Sequence, residues 1–200
     1  MNRLSLPSFL LATAIALFAF AGLASAATPT SPAGTTYTGK LHATSEGHVT
    51  IHNTIANIQC NSTLEGAVEV PGGGEPIAIP LSSLTFTGCT NSWHVTTVSA
   101  GKLEVHSIAG SRNGTVTWTG ATIEATRLGI TCNYKTEATD VGTLTGSKTT
   151  GGTATIDLSG ALPFHSGSGL CTKEGKGEPT SLTGNYSVGT PDYLDVDADL

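Results

Sequence analysis

The sequence predicts an all-β fold, an antiparallel β-sandwich, on three observations. Apolar and polar residues alternate in short runs with a period of two, the spacing that puts one face of a strand in a core and the other in water. Glycine, proline and asparagine break these runs roughly every 8–12 residues, the rhythm of sandwiches and barrels. No window beyond the amino-terminal segment carries apolar residues at helical spacing, and abundant threonine favours strands over helices.

Residues 1–26 read as a secretory signal peptide of bacterial style rather than as part of the fold. Arg3 gives a basic start, an uncharged apolar run covers 9–23, and Ala24-Ser25-Ala26 supplies the small residues of a cleavage site. The run is short for a membrane helix of ~20 residues. Arg3 stands alone where a twin-arginine signal needs two, and no cysteine at the cleavage site offers a lipid anchor. A secreted or surface-associated product with no membrane span is expected. Residues 27–34, ATPTSPAG, are a Pro/Ser/Thr-rich flexible lead.

Over 47–53, Val49 and Ile51 point one way and His48, Thr50 and His52 the other. The same alternation recurs at 64–70, 84–87, 94–98, 103–106, 115–118, 122–125, 153–158 and 193–196. Gly72-Gly73-Gly74, Asn113-Gly114 and Gly151-Gly152 are turn signals between runs. Asn113-Gly114 reads as a two-residue hairpin between Ile108 and Val116. Trp93, Trp118, Phe86 and Phe164 are the expected large core side chains.

Two stretches look like copies of each other. Ile58-Gln59-Cys60-Asn61 recurs as Ile130-Thr131-Cys132-Asn133, each preceded by Gly-Lys-Leu (39–41 and 101–103) and followed by a second cysteine, Cys89 or Cys171. The pattern reads either as two related β units, 35–98 and 99–200, each with one disulfide, or as one continuous sandwich over 35–200. An even set of 4 cysteines in an exported chain implies two disulfides. Of the three pairings, Cys60–Cys89 and Cys132–Cys171 keep each bond inside a unit. Zinc needs closely spaced ligand pairs, which the chain lacks.

Composition narrows function. Charged residues are 12% of the chain, about half the usual ~25%. The net charge of −6 becomes about −7 once Arg3 is removed, which opposes binding to nucleic acid or anionic lipid. Catalytic patterns are weak. The 6 histidines are dispersed, and His48 and His52, four apart on a strand, lie ~13 Å from each other. There is no Gly-x-Ser-x-Gly elbow and no H-E-x-x-H. His165-Ser166 reads as part of a loop. Glu65 with Glu69, and Glu104 with His106, share strand faces as exposed residues do by default. Asp192, Asp195, Asp197 and Asp199 read as the outer face of a final strand rather than as a calcium loop, which needs a glycine at its turn. No enzyme, cofactor or metal site is expected.

The layout resembles the secreted protein activator of alkane oxidation family: a leader, a Thr/Gly/Ser-rich mature region, and cysteines near Ile-x-Cys and Leu-x-Phe-x-x-Cys strands, here Ile58, Cys60, Leu84, Phe86 and Cys89. The resemblance implies an extracellular, non-enzymatic accessory or fibre-forming protein. A second likeness, to pilin-type subunits, lies in a Gly-x-Leu strand ahead of a cysteine-bearing strand. The leading expectation is a structural or accessory protein with a surface, glycan or self-assembly partner, and β-addition at the edge 37–41. A glycan-binding module is the first alternative. It would need exposed aromatics, for which Trp93, Trp118, Tyr134 and Tyr186 are the candidates, with Tyr37 and Tyr193 beside them. A small secreted hydrolase is the second.

Overall fold

The structure, a computed structural model, describes residues 37–69, 75–108, 110–147, 152–171 and 180–191. The leader, the flexible lead, the Gly72–74 turn, the strand expected at 193–196 and the acidic tail lie outside the described residues.

Thirteen described strands follow in chain order: β1 (Gly39–Ser45), β2 (Val49–His52), β3 (Asn57–Val68), β4 (Ile77–Thr87), β5 (His94–Ser99), β6 (Lys102–Ser107), β7 (Asn113–Thr119), β8 (Thr122–Arg127), β9 (Ile130–Lys135), β10 (Thr139–Thr145), β11 (Thr155–Ala161), β12 (Phe164–Gly167) and β13 (Ser181–Thr190). Two single-turn 3-10 segments, Thr90–Ser92 and Gly169–Cys171, complete the regular structure.

The all-β prediction holds, but the architecture is a closed barrel with a second sheet rather than two stacked sheets. The barrel order is β1-β13-β11-β10-β7-β6-β4-β3, and β3 returns to β1. β2 continues β1 in the same direction, so both lie between β3 and β13 as one interrupted strand. The closing element is β13, whose antiparallel partners are β11 on one side and β1 with β2 on the other. A sandwich leaves four strand edges and a barrel leaves none. Local alternation is identical in the two, since both bury one face of each strand. Only the pairing of 42–52 with 181–190 distinguishes them.

Side chains fill the barrel, as its strand number dictates. Leu41, Ile51, Ile58, Leu64, Ile77, Ile79, Leu103, Trp118, Leu144 and Tyr186 are all buried. β3 shows the pattern cleanly: Ile58, Cys60, Ser62, Leu64 and Val68 are buried, while Asn57, Gln59, Asn61 and Glu65 are exposed. Apolar inside and polar outside is the reverse of a barrel that faces lipid.

The division at 98/99 falls inside β5, just before its last residue. Strands from both sides of it hydrogen-bond to each other, as β4 does with β6, β5 with β8, and β1 with β13. The duplicated words also part company, with Ile58–Asn61 on β3 in the barrel and Ile130–Asn133 on β9 in the second sheet. The β6–β7 hairpin exists, but it turns ahead of Asn113-Gly114 and is closed by Ile108 N–H donating to Asn113 O at 3.0 Å. Asn113-Gly114 instead opens β7, opposite Ser107 at Gly114. A Cβ at Gly114 would sit 2.5 Å from Val105 Cγ1, so close packing, not turn geometry, holds glycine there.

Candidate functional site

The second sheet has the order β12-β9-β8-β5 and grows from one end of the barrel. β4 runs on into β5, β7 into β8 and β11 into β12, while β5 returns into β6 and β9 into β10. Antiparallel pairing places all these joints at the barrel end that also carries the 53–56 loop. We call that region the waist.

Backbone hydrogen bonds cross the waist almost without a break. Leu81 N–H donates to Gly101 O (2.9 Å), Gly120 N–H to Thr136 O (2.9 Å), Thr136 N–H to Ala121 O (3.0 Å), Lys135 N–H to Pro163 O (3.0 Å) and Leu162 N–H to Thr180 O (2.7 Å). The fully buried Thr136 adds its hydroxyl, which accepts from Ala121 N–H at 3.0 Å. Trp118 Nε1 donates to Ala100 O at 2.8 Å across the same corner. Gly101 has φ +68°, and a Cβ on it would lie 2.3 Å from Thr119 O, so the two neighbouring strand pairs pass each other backbone to backbone.

The second sheet turns its apolar face to the barrel end. Val95, Ile123, Ala125, Cys132 and Tyr134 are buried in one cluster with the barrel core. Asn53, in the β2–β3 loop, ties the parts together. Its Oδ1 accepts from Ile55 N–H (3.0 Å) and Ala56 N–H (2.8 Å), and its Nδ2 donates to the Tyr134 hydroxyl (3.0 Å). Burial pushes the Tyr134 phenol up from its ordinary pKa, and the Asn53 bond opposes that shift. Both disulfides belong to this end. Cys60 on β3 is bonded to Cys89, just past β4, and Cys132 on β9 to Cys171, just past β12.

The four aromatics singled out for ligand stacking are core residues. Trp93 is 4% exposed, Trp118 and Tyr186 1%, and Tyr134 0%, so none of these rings offers a face to a sugar. A strand aromatic reads alike whether its face is covered or open, and here the barrel and its cap cover it. Tyr37 is half-buried and its hydroxyl donates to Lys40 O. Tyr193 lies outside the described residues. The edge expected at 37–41 is not open either, because β1 has β3 on one side and β13 on the other.

The dispersed titratable groups settle into local pairs. His42 Nδ1 lies 3.4 Å from Glu65 Oε1, directly across the β1–β3 ladder. Lys102 Nζ lies 2.6 Å from Glu104 Oε1. His52 bonds Asn57 Oδ1 (3.0 Å) and Thr183 Oγ1 (3.2 Å). His165 and Ser166, expected in a loop, are exposed neighbours on β12, where the register on β9 shifts between Phe164 and Ser166. His165 instead lines a half-open surface cleft of about 240 Å³ with Lys135, Glu137, Thr139, Pro163 and Phe164. Lys135 Nζ, 2.7 Å from Glu137 Oε1, holds that carboxyl below its usual range, with His165 adding to the effect. Phe164 forms the apolar wall and meets Tyr134 edge-on at 6.4 Å. This cleft can hold a small polar group beside an aromatic edge. Among the described residues no three His, Cys, Asp or Glu side chains come together as metal ligands.

What sequence reasoning missed is the distribution of exposed apolar side chains. The large ones are Ile55 (40%), Val98 (69%), Ile108 (43%), Leu128 (89%) and Leu170 (59%). All but Ile108 belong to the waist end or the second sheet. Leu128 is the most anomalous, because it occupies a hairpin turn with φ +47°, where glycine or asparagine is the comfortable residue. Leu170 sits on the 3-10 turn anchored by Cys171, and Ser168 N–H donates to Thr131 O (2.8 Å) beside it. No family model, curated protein or solved structure matches the chain.

Proposed function

We propose that this is an exported, non-catalytic structural or accessory protein of the cell surface or extracellular space, and that the second sheet is its working end. One observation carries the reading: four of the five exposed large apolar side chains among the described residues, Ile55, Val98, Leu128 and Leu170, lie on or beside that sheet. Neither backbone comfort nor core packing explains a leucine 89% exposed at positive φ, whereas contact with a partner does. The filled barrel serves as a rigid mount, which argues against a ligand carried in its interior. Export rests on the leader and agrees with two disulfides, which persist in oxidising compartments. No described helix is long and apolar enough to cross a membrane.

The test is sedimentation of labelled protein with washed cells of the producing organism and with its isolated envelope. Saturable co-sedimentation, weakened by Leu128→Asp with Leu170→Asp, is the expected result. Protein that stays in the supernatant with both, or binding indifferent to the two substitutions, would overturn it.

A further inference from the structure

The cleft of about 240 Å³ at the root of β12 is built from three segments: Lys135 and Glu137 at and just past the end of β9, Thr139 at the start of β10, and Pro163, Phe164 and His165 where β11 runs into β12. Its walls differ in kind. Pro163 and Phe164 are apolar. Phe164 is only partly buried, and the edge-on ring of the fully buried Tyr134 holds it in place. The rest of the lining is polar. Lys135 Nζ lies 2.7 Å from Glu137 Oε1, and Thr139 Oγ1 accepts from Glu137 N–H at 3.3 Å, which leaves the threonine O–H free to donate. Lys135 N–H donates to Pro163 O at 3.0 Å and ties the two walls together. Between Glu137 and Thr139, Ala138 has φ +48°, a conformation that alanine avoids. Such strain gathers where a neighbouring side chain has to be held in position.

The geometry points to a binding site for one neutral sugar ring, a pyranose that offers two adjacent hydroxyls to Lys135 and Glu137 and its C–H bonds to Phe164 and Pro163. This goes beyond the reading of the leucine-bearing tip and does not depend on it. Size comes first. Pockets for drug-sized ligands run to about 300–1,000 Å³, so this cleft takes a single small ring rather than a longer ligand. Charge comes second. An anion in the cleft would lie against Glu137 and a cation against Lys135, so each meets a like charge. A neutral ligand with both donors and acceptors meets none. Hydrogen-bonding capacity comes third. The ammonium only donates and the carboxylate only accepts, and neighbouring hydroxyls on a ring can do both. The Lys135–Glu137 pair is exposed, and such pairs are worth little to stability, so its groups turn to a ligand at small cost. An apolar wall beside that pair covers the ring carbons.

Amide NMR titration of the purified protein with D-glucose, D-galactose, D-mannose and N-acetyl-D-glucosamine, each to about 50 mM, is the direct test, since a ligand of this size binds with a Kd of about 1 mM. Saturable shifts confined to 134–139 and 164–166 are expected with at least one of the four. D-glucuronate and protonated D-glucosamine should bind more weakly than that sugar. Glu137→Gln and Phe164→Leu should each weaken binding about fivefold or more, the first by removing an acceptor and the second by removing the ring but not its apolar bulk. Ala138→Gly should weaken it too while leaving Tm unchanged or higher, because it frees the turn and removes the strain. The absence of saturable shifts with all four sugars would overturn the proposal. So would full-strength binding in Glu137→Gln and Phe164→Leu, or tighter binding of glucuronate or glucosamine than of any neutral sugar. Envelope sedimentation keeps the two ideas apart. A protein that binds sugar in the cleft but ignores the envelope sinks the functional reading alone, and one that binds the envelope with a silent cleft sinks the sugar site alone.

Discussion

Tyr186 and Ser62 are the polar pair inside the barrel. The Tyr186 hydroxyl donates to Ser62 Oγ at 2.8 Å, and both residues are buried. Burial pushes the Tyr186 phenol up from 10.0 to about 12, with the Ser62 bond working against that shift. The folded state thus holds a proton that the unfolded state releases near pH 10. Below that pH both states are protonated and the group contributes no pH dependence. Between pH 10 and 12 stability falls as pH rises, by on the order of 2 to 3 kcal/mol in total. Tyr186→Phe should cost about 1–2 kcal/mol at neutral pH by leaving Ser62 without its donor. It should also flatten the decline above pH 10. Urea denaturation at pH 7, 10 and 12 checks both, and an unchanged alkaline slope in the variant would rule out Tyr186 as its source.

At the scale of elements, the waist matters most. Each strand of the second sheet is attached at a joint of a few residues, and the joints are bonded to one another through Gly101, Gly120, Ala121, Thr136 and Pro163. Gly101 cannot give way, because its neighbours on the far side are backbone atoms of Thr119, Gly120 and Ala121 rather than flexible side chains. Gly101→Ala should therefore cost about 3 kcal/mol or more, through positive φ and overlap together. Gly110→Ala, also at positive φ (+70°) but with open space around its Cβ, should cost about 1 kcal/mol. Thermal unfolding of the pair separates strain from clash. Equal losses would mean that the waist does not pack as closely as its backbone contacts imply.

For the whole molecule, the disulfides sit where barrel and cap meet. Cys60–Cys89 fixes the exit of β4, and Cys132–Cys171 pins the segment after β12 to β9, closing loops with sequence separations of 29 and 39. On chain-entropy arithmetic each is worth roughly 3.5–4 kcal/mol before strain. Replacing Cys132 and Cys171 together by alanine should cost about 2–4 kcal/mol. Hydrogen exchange should quicken in β9 and β12 more than in β3 and β11. Acceleration of equal size in the barrel would mean that cap and barrel open as one unit.

The sequence by itself determined the strand content, the spacing of many strands and the cysteines that pair, because each leaves a local mark. Period-two runs at 94–98, 103–106, 115–118 and 122–125 became β5, β6, β7 and β8, and the bonds are Cys60–Cys89 and Cys132–Cys171. β10 and β13 were not foreseen. β10 holds Gly142 and β13 holds Gly184 and Gly189, which blur the alternation. A Cβ at Gly184 would press on Val49 across the barrel at 2.8 Å, so the break in pattern is itself a packing requirement. Tertiary structure alone decided that β13 closes a barrel, that Trp93, Trp118, Tyr134 and Tyr186 are buried, and that β1 has a partner on both sides. The physical reason is range. Alternation says that one face of a strand is covered, but what covers it is set by partners such as 42–52 and 181–190, more than a hundred residues apart in the chain.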